Sequence, residues 1–410
     1  MSEWPVVRLG DVVDLATGFP FASEGYTDDA ASPRLLRGDN VGQGTLRWDG
    51  AKRWPSEAAG DLDAYRLRDG DVILAMDRPW IEAGLKYASV RESDLPALLV
   101  QRVARLRGAA SLATPFLKYV IGSRAFTQYV TAVQTGTAVP HISGRQIQNF
   151  EFRLPSLPEQ GRISEILGAL DDKIELNRRM SETLQMTARA MFKSWFVAEA
   201  GTEADGWRSC TIGDLAEIVG GSTPSTTEPR FWNGSHHWAT PKDLAGLKTP
   251  VLLRTERMLT DAGIGQISSG LLPAGTVLMS SRAPIGYLAI TEVPVAINQG
   301  FIAMKPRPGV SGLFLLLWAA SSQDQILSRA NGSTFLEISK SSFRPIPVVT
   351  PPAPIFAAFD DVVRPTYSRI VANERETRTL TSIRDTLLPR LISGELRLKD
   401  ADQIVEAVSA

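Results

Sequence analysis

The chain has 410 residues, two to three times the length of an ordinary domain, so more than one hydrophobic core is expected. Hydrophobic residues make up 43% and charged residues 22% of the sequence, a balance typical of globular proteins and not of disordered ones. The 44 Lys and Arg residues nearly balance the 45 Asp and Glu residues, which excludes a uniformly basic, histone-like protein but not a nucleic-acid reader with local basic surfaces.

The sequence also predicts a soluble, cytoplasmic protein. Cys210 is the only cysteine, which excludes an internal disulfide and a cysteine-cluster metal site and fits a reducing compartment. The longest apolar run, Leu313 to Ala320, has eight residues and is too short to span a bilayer. No signal peptide is visible at the N-terminus, because no basic region followed by an apolar stretch occurs there.

Residues 1–155 mix short apolar runs with turns rich in Gly, Pro, Asn and Ser, a pattern that predicts an α/β domain with many loops. Leu9-Gly10-Asp11 opens this part, and a strand is predicted in the segment from Asp69 to Ala75. Gly136-Thr137 and Ile142-Ser143 lie near its end.

A long helix is predicted next, over about residues 159–197 within a segment 156–200. Pro155 and Pro158 mark its start, because proline disfavours helix just before itself and is well placed in a first turn. A heptad seam runs along it, with residues spaced alternately by four and three. The seam residues are Ile163, Leu167, Leu170, Ile174, Asn177, Ser181, Leu184, Ala188, Met191 and Trp195.

The chain then repeats itself. Leu9-Gly10-Asp11 returns as Ile212-Gly213-Asp214 and Gly18 returns as Gly221, both with an offset of 203 residues. The segment that begins at Gln101 returns at Gln299 with an offset of 198, and Gly136-Thr137 and Ile142-Ser143 return as Gly332-Ser333 and Ile338-Ser339 with an offset of 196. The order of the matches is kept while the offset drifts, as loop insertions would cause. One tandem duplication therefore covers nearly the whole chain, and residues 201–350 predict a second α/β domain.

A second long helix is predicted over about residues 355–393, within a segment 351–397 that precedes a tail at 398–410. It follows the prolines of the segment 351–354 and closes at Ser393-Gly394, where glycine can adopt the left-handed cap. Pro365 is expected to kink or delay it, and Pro389 lies near its end. Its seam residues are Phe359, Val363, Thr366, Ile370, Asn373, Thr377, Leu380, Arg384, Leu387 and Leu391.

We expect these two helices to pair antiparallel as a coiled coil, with Asn177 and Asn373 near the centre, where a buried polar pair fixes register. The apolar residues Ile174, Ile370, Leu184 and Leu380 flank this centre. The alternative is that each helix packs only on its own domain. A helix of about 39 residues is about 58 Å long, so a pair that carries a domain at each end forms a molecular ruler.

Candidate catalytic features do not form a constellation. The sequence has no Asp/Asn-Pro-Pro-Tyr/Phe motif of an adenine methyltransferase and no Gly-x-x-x-x-Gly-Lys-Ser/Thr phosphate loop. His236-His237 is not expected to bind a metal, because adjacent side chains diverge and no third ligand lies at a usual spacing. We therefore expect a chain that is not an enzyme, with no catalytic residue and no metal site of its own.

Two helical segments carry a resemblance to a known family. The segment 170–179 followed by 190–196 resembles the central conserved region of the specificity subunit of type I restriction–modification systems. The segment 383–395 resembles its C-terminal conserved region, and the two Gly-Asp openings resemble the starts of its target recognition domains. The resemblance covers the full length of the chain.

This resemblance implies a subunit without chemistry of its own that reads a split DNA sequence, one half-site per recognition domain, across a spacer set by the helices. It implies two modification subunits that methylate adenine and restriction subunits that join them. S-adenosylmethionine, ATP and Mg²⁺ are then expected on these partners and no cofactor on this chain. Phe192, Trp195 and Phe196 belong either to a core, which we favour, or to the docking surface for the methyltransferase.

DNA contacts are predicted in loops, since Arg and Lys read guanine, Asn and Gln read adenine, and Ser and Thr read several base edges or bind phosphates. In the first domain the candidates are Arg34, Arg37, Asn40, Arg78, Thr135, Gly136 and Thr137. In the second domain they are Ser222, Thr223, Ser225, Thr240, Lys242, Ser281, Arg282, Gly332, Ser333 and Thr334.

Two other classes of protein stay open at this point. One is a coiled-coil scaffold that pairs proteins and never touches DNA. The other is the recognition module of a combined endonuclease–methyltransferase, which would need a catalytic domain for which this chain leaves no room.

Overall fold

The computed structural model describes residues 4–136, 138–197, 206–282, 284–332 and 336–396. The chain forms two compact units: unit 1 comprises residues 1–172 and 381–410, and unit 2 comprises residues 173–380. Both units mix helices and short strands, so the predicted α/β class is confirmed. Among the described helices, none has the length and apolar character needed to cross a membrane.

Unit 1 consists of short strands joined by many loops. Its strands, β1 to β10 in chain order, are Val6–Arg8, Val13–Thr17, Arg34–Leu36, Val72–Ala75, Trp80–Ile81, Gly84–Leu85, Tyr87–Ser89, Ala97–Leu99, Val103–Gly108 and Glu151–Arg153. Its helices α1 to α4 are Leu9–Val12, Thr114–Ile121, Arg124–Val133 and Gly144–Gln148, and helix α5, Leu157–Phe192, begins in this unit. Short 3₁₀ segments are Ser23–Gly25, Gly38–Asn40, Ser56–Tyr65 and Glu92–Asp94.

Unit 2 has a similar set of elements. Its strands β11 to β20 are Arg208–Thr211, Ala216–Val219, Trp232–Ala239, Val251–Leu252, Arg257–Leu259, Val277–Ser280, Leu288–Thr291, Val295–Ile297, Phe301–Pro306 and Pro347–Thr350. Its helices α6 to α11 are Ile212–Leu215, Pro241–Ala245, Asp261–Ile264, Gly312–Ser321, Gln323–Leu327 and Lys340–Phe343, and α12, Ala353–Ile392, begins here. A π-helical turn, Lys193–Val197, follows α5, and a 3₁₀ turn spans Pro229–Phe231.

The sheet topology repeats between the units. The main sheet of unit 1 has the order β2-β9-β4-β7, and that of unit 2 has the order β12-β19-β16-β17, extended by β14. Each unit also has a parallel pair, β3 with β8 and β13 with β18. The central strands β4 and β16 are buried along their whole length, because their apolar side chains are covered on both faces. The duplication read in the sequence thus corresponds to a repeated β framework.

The repeated Ile-Ser motif has a structural role in both units. Ile142 and Ile338 are 0% and 1% exposed, so each anchors its loop in a core. Ser143 Oγ accepts the N–H of Gln146 at 3.2 Å and Ser339 Oγ accepts the N–H of Ser342 at 3.1 Å. Each serine therefore caps the short helix that follows it.

The long helices pair within unit 2. Asn177 Nδ2 donates to Glu376 Oε2 at 2.9 Å, and Asn373 Nδ2 donates to Ser181 Oγ at 3.2 Å. Rising numbers on α5 meet falling numbers on α12, so the two segments are antiparallel. Leu184 packs with Ile370 in a small apolar cluster. Ile174 is partly buried and Leu380 is 8% exposed.

The two asparagines occupy separate layers of this helix pair. Each bonds to the opposite helix, Asn177 to Glu376 and Asn373 to Ser181, and no hydrogen bond between them occurs among the described contacts. Ser181 is four residues beyond Asn177, so the layers are about one turn apart. Both asparagines are 1% exposed, and the Oδ1 atom of each has no hydrogen-bond partner among the described residues.

The helix ends combine expected and unexpected features. Gly394 has a φ of 73° and forms the left-handed cap after α12. Helix α12 continues through Pro365, although this residue lacks the N–H that would bond to the preceding turn.

Phe192 and Phe196 are 2% and 5% exposed and lie in the core of unit 2, with the ring of Phe359 4.7 Å from that of Phe196.

Candidate nucleic-acid interface

Loops singled out in the first copy of the repeat converge on one cavity in unit 1. Phe21 follows β2, Arg37 follows β3, Arg78 follows β4, and Val139 belongs to the loop after α3; all four line a cavity of about 350 Å³. We call it the basic cavity and define it by its charged and amide-bearing residues. They are Arg37, Asp39, Asp77, Arg78, Lys86, Gln101 and Arg102. Cations outnumber carboxylates around it, so it favours an anionic ligand.

One carboxylate of the basic cavity is already engaged. Asp77 Oδ1 accepts a bond from Arg102 at 3.2 Å and lies 2.6 Å from His141 Nδ1. Arg78 and Arg102 have φ angles of 45° and 68°, which non-glycine residues adopt rarely and which recur at functional sites. The backbone thus holds two arginines in unusual conformations at the same cavity.

Lys86 is the most buried cation of the basic cavity. The residue is 8% exposed, and its side chain forms no hydrogen bond or ion pair with the part of the chain that the structure describes. Burial lowers the pKa of Lys86, while the carboxylate of Asp39 opposes this shift. The role of Lys86 could not be predicted from the sequence, because it depends on the loops that close over this residue.

Two predicted contact residues of unit 1 hold their own loops. Arg34 donates to the carbonyl of Ser93 at 2.9 Å and its guanidinium lies 4.5 Å from the centre of the Trp48 ring. Asn40 is 8% exposed; its Oδ1 accepts the N–H of Arg37 at 2.9 Å and its Nδ2 donates to the carbonyl of Arg47 at 2.9 Å. Both polar groups are satisfied internally, so the geometry favours a supporting role for these residues.

A short loop closes each unit. In unit 1, Thr135 and His141 exchange backbone hydrogen bonds of 2.9 and 2.7 Å, and Gly136 has a φ of 92°. In unit 2, Asn331 and Glu337 exchange bonds of 2.9 Å each, and Gly332 has a φ of 126°. Glycine is required at both places because of these positive φ angles. Three predicted residues of these loops, Thr137, Ser333 and Thr334, lie outside the described residues.

The first predicted loop of unit 2 is polar and exposed. Thr223 Oγ1 donates to Gln299 Oε1 at 2.6 Å, which links the loop to an exposed glutamine that the sequence reasoning did not select. Ser222 Oγ donates to the carbonyl of Gln266 at 3.5 Å, and Ser225 Oγ lies 2.9 Å from Thr227 Oγ1. These weak, solvent-facing bonds can be exchanged for contacts with another molecule at little cost.

The other residues of unit 2 that were predicted to contact DNA differ in how accessible their side chains are. Thr240 is the N-cap residue of α7, and its Oγ1 donates to Asp243 Oδ2 at 2.8 Å. Lys242 is exposed and pairs with Glu256 at 3.2 Å. Ser281 is 3% exposed, and its backbone N–H and carbonyl are both bonded. Arg282 lies 3.7 Å from Glu337 and is partly exposed. Buried Ser281 is the least suited to contact a base.

Backbone hydrogen bonds align the two units residue by residue. The N–H of Ala75 donates to the carbonyl of Lys86 at 3.0 Å, and in unit 2 the N–H of Ser280 donates to the carbonyl of Tyr287 at 2.9 Å. Because Ala75 and Ser280 end the equivalent strands β4 and β16, Tyr287 occupies in unit 2 the place of Lys86.

Backbone hydrogen bonds also identify the residue of unit 2 that is equivalent to Arg102. The N–H of Met76 donates to the carbonyl of Arg102 at 2.9 Å, and the N–H of Ser281 donates to that of Gly300 at 2.8 Å. Gly300 therefore replaces Arg102, and the exposed residues just before them, Gln101 and Gln299, are equivalent. Both glutamines begin segments that the sequence identifies as repeats, which is the signal that could have selected them.

The place of Arg37 is also occupied by a different residue in unit 2. The N–H of Val100 donates to the carbonyl of Leu36 at 3.1 Å, as that of Asn298 donates to the carbonyl of Ala239 at 3.0 Å. The residue after Ala239 is Thr240, which thus takes the place of Arg37. The framework is shared, whereas the side chains it presents differ in charge and size.

His236 and His237 contact different partners. His236 Nε2 lies 2.7 Å from Asp261 Oδ1, and His237 Nδ1 lies 3.2 Å from Thr255 Oγ1. Neighbouring residues of strand β13 point to opposite faces, which accounts for this separation.

Comparison with known proteins places this framework among DNA specificity proteins. The family model described as "Type I restriction modification DNA specificity domain" matches residues 1–186 and 204–366. The chain is 25% identical to the type I restriction enzyme HindI specificity subunit of Haemophilus influenzae, over 97% of this chain and 100% of that relative. It is 36% identical to the MjaIX specificity subunit of Methanocaldococcus jannaschii, but over only 38% of either chain.

A solved structure shows the same fold. The crystal structure of the S subunit of a type I restriction–modification system from M. genitalium superposes with a TM-score of 0.62, covering 95% of this chain and 96% of that one. The two sequences are 15% identical, so the likeness is one of architecture.

Proposed function

The chain belongs to the type I restriction–modification DNA specificity family, and from this premise we propose that it reads a DNA target in two halves, one half-site per unit. In this proposal residues 1–155 and 201–350 are the two recognition domains. The helical segments 156–200 and 351–397 then set the number of base pairs between the half-sites.

One observation carries the proposal. The two units share a β framework, yet at equivalent places they present different side chains: Lys86 against Tyr287, Arg102 against Gly300. A framework kept while its loop chemistry changes is what two readers of different base sequences require. A scaffold that never touched DNA would have no reason to gather loop cations around a cavity.

The proposal includes partners. Two adenine methyltransferase subunits and the restriction subunits would assemble on this chain, bringing S-adenosylmethionine, ATP and Mg²⁺ with them. With a net charge of −1, the isolated chain would bind DNA weakly, and partner subunits would supply further contacts to phosphates.

Sequencing of adenine methylation in host DNA tests the proposal directly. We expect a methylated motif with two specified halves and an unspecified spacer, which disappears when the gene is deleted and returns when it is restored. Persistence of every methylated motif after deletion would contradict the proposal and favour the scaffold alternative.

The equivalent glutamines provide a sharper experiment. Asn and Gln side chains form paired hydrogen bonds with adenine in the major groove. We expect Gln101→Ala to relax one half of the methylated motif and Gln299→Ala to relax the other. Gln128→Ala, which removes an exposed glutamine from helix α3, is the matched control and should leave both halves unchanged. Relaxation of both halves by one substitution would argue against one reader per unit.

A further inference from the structure

We propose that Lys86 forms, with Arg37 and Arg78, a seat for one backbone phosphate of duplex DNA in the basic cavity, and that unit 2 has no equivalent of this seat. The inference rests on the proposed function for its ligand. It adds the group that is bound, the residues that bind it and the half-site to which it is confined.

The Lys86 ammonium has no partner among the described residues. Lysines are rarely buried unless they are paired, because removing a charge from water is costly. Lys86 is 8% exposed as a whole residue and its side chain forms no hydrogen bond or ion pair with the described residues, but its Nζ is not fully buried and remains accessible from the cavity that the residue lines. An anion entering the cavity would supply the missing partner.

The backbone fixes the position of this lysine. Its N–H donates to the carbonyl of Pro79 at 2.7 Å, and its carbonyl accepts the N–H of Ala75 at 3.0 Å. Both bonds hold the residue between strands β6 and β7. The ammonium is therefore presented by a rigid part of the unit, which limits the conformational entropy lost on binding.

Unpaired cations outnumber unpaired carboxylates at the seat. Asp77 is engaged by Arg102 and His141, and its charge acts on Lys86 less strongly than that of Asp39. Arg37 and Arg78 are exposed and, like Lys86, form no side-chain bond with the described residues, which leaves Asp39 as the opposing carboxylate. Three unpaired cations against one carboxylate suit a singly charged phosphodiester.

The chemistry and place of Lys86 suit a phosphate better than a base. An ammonium is a compact charge with three donors that accepts many orientations of phosphate oxygens. A lysine enclosed at a cavity wall is less able to reach across the major groove to a base edge. We therefore assign Lys86 to positioning the DNA and leave base reading to exposed side chains such as Gln101.

The two units differ at the seat. Two of its three residues, Arg37 and Lys86, are replaced in unit 2 by the uncharged Thr240 and Tyr287, and the neighbouring Arg102 is replaced by Gly300. The seat is thus a property of one unit and not of the shared framework. A single phosphate, next to one half-site only, should depend on it.

The test uses the complete complex of this chain with its methyltransferase subunits and two duplexes, one with the methylated motif and one without it. We expect Lys86→Met to weaken binding to both duplexes by a similar factor, about tenfold. The slope of log K against log salt concentration should fall by about 1. Arg124→Met, which removes an exposed cation of unit 1 from outside the cavity, should change neither quantity.

Phosphate ethylation interference locates the contact. We expect one phosphate, beside one half-site, whose ethylation weakens binding of the wild type and has no effect on Lys86→Met. Lys86→Arg should retain most of the affinity. Thermal unfolding separates binding from folding, because Met keeps the apolar stem of Lys86 and should leave Tm equal or higher.

Three results would overturn the inference. They are an unchanged salt slope in Lys86→Met, loss of interference at phosphates beside both half-sites, and relaxation of a single base position in the methylated motif. The last result would make Lys86 a reader of bases. If instead the wild-type complex showed no preference for its motif, the proposed function itself would fail.

Discussion

At the scale of single residues, Gly18 and Gly221 explain why glycine recurs at this place in the repeat. A Cβ added at Gly18 would lie 2.2 Å from the carbonyl oxygen of Val100, and one added at Gly221 would lie 1.8 Å from that of Ile297. Both obstacles are backbone atoms, so a side chain could fit only if a strand moved. The two glycines allow the recognition loops to cross closely over the neighbouring strand.

We therefore expect Gly18→Ala and Gly221→Ala each to destabilise the protein by about 1–3 kcal/mol, as overpacked cores do. Gly38→Ala and Gly246→Ala are matched controls, since an added Cβ has no atom within 4 Å at either place. Urea denaturation measures all four. Equal stabilities of the Gly18 and Gly38 variants would contradict the close approach.

Asp171 anchors a charged cluster in unit 1. Lys118 Nζ donates to its carboxylate at 2.5 Å, Arg384 at 3.1 Å and the Tyr119 hydroxyl at 3.1 Å. Burial opposes ionisation of this carboxylate, but Lys118 and Arg384 outweigh burial and hold the pKa of Asp171 below its ordinary value. Burial, with the charge of Asp171, raises the pKa of Tyr119. The cluster thus joins α2, α5 and the last part of α12.

The lowered pKa gives a pH dependence with a definite sign. The ionised carboxylate stabilises the folded chain above the unfolded pKa, about 4, and this contribution is lost as the pH falls through the folded pKa. We expect Asp171→Asn to cost about 1–3 kcal/mol at pH 7 and progressively less below pH 4. Asp172→Asn, at an exposed neighbour, is the control. A cost for Asp171→Asn that does not change with pH would contradict the ion-pair explanation.

At the scale of elements, the flanking prolines and the Ser393-Gly394 cap predicted the bounds of the long helices to within a few residues. The heptad seam predicted their buried faces, because periodicity reports which side of a helix is buried. Sequence could not place the partners of Asn177 and Asn373, since a shift of one turn leaves the apolar pattern intact. The roles of loop residues were even harder to predict from the sequence. Arg34 and Asn40 have the chemistry of DNA contacts, yet they bond within their own loops.

Lys86 is the opposite case, a residue that the sequence did not single out but that the structure places in the basic cavity. It lies in a segment without a motif, and its burial arises only when several separate stretches of unit 1 meet. Composition cannot report such a convergence. The shared backbone framework could therefore be predicted from the sequence repeat, whereas the chemistry of the basic cavity could be recognised only in the tertiary structure.

The polar layer on α12 leads to a prediction for the helix pair. Asn373 is 1% exposed and donates to Ser181, so Asn373→Ala leaves a cavity and a buried hydroxyl without this bond. We expect a loss of about 1–3 kcal/mol. Arg369→Ala, at an exposed position one turn earlier, should stay within about 0.5 kcal/mol of the wild type. Denaturation curves that coincide for the two variants would mean that the layer adds nothing to stability.

At the scale of the whole molecule, the proposed link between helix length and DNA spacing can be tested by insertion. One heptad added to each of α5 and α12, at the level of the paired polar residues, lengthens each helix by about 10.5 Å. At about 3.4 Å per base pair, the spacer in the methylated motif should grow by about three base pairs. Methylation sequencing measures this length directly.

The control for this experiment replaces one native heptad in each helix with another of the same length, which should leave the spacer unchanged. Both half-sites should keep their bases in both variants, since the recognition loops are untouched. A spacer that stays constant after insertion would mean that something other than these helices sets the distance.

The division of the chain has a consequence for its synthesis. Unit 1 is assembled from residues 1–172 and 381–410, whereas unit 2 is one continuous stretch, residues 173–380. During translation, unit 1 therefore cannot complete its folding when residues 1–172 have been made. Arg384 and the buried Leu387 and Leu391, which belong to unit 1, emerge from the ribosome after all of unit 2. Unit 2 can finish folding while unit 1 is incomplete. A nascent chain halted before Arg384 would carry a complete unit 2 beside an unfinished unit 1.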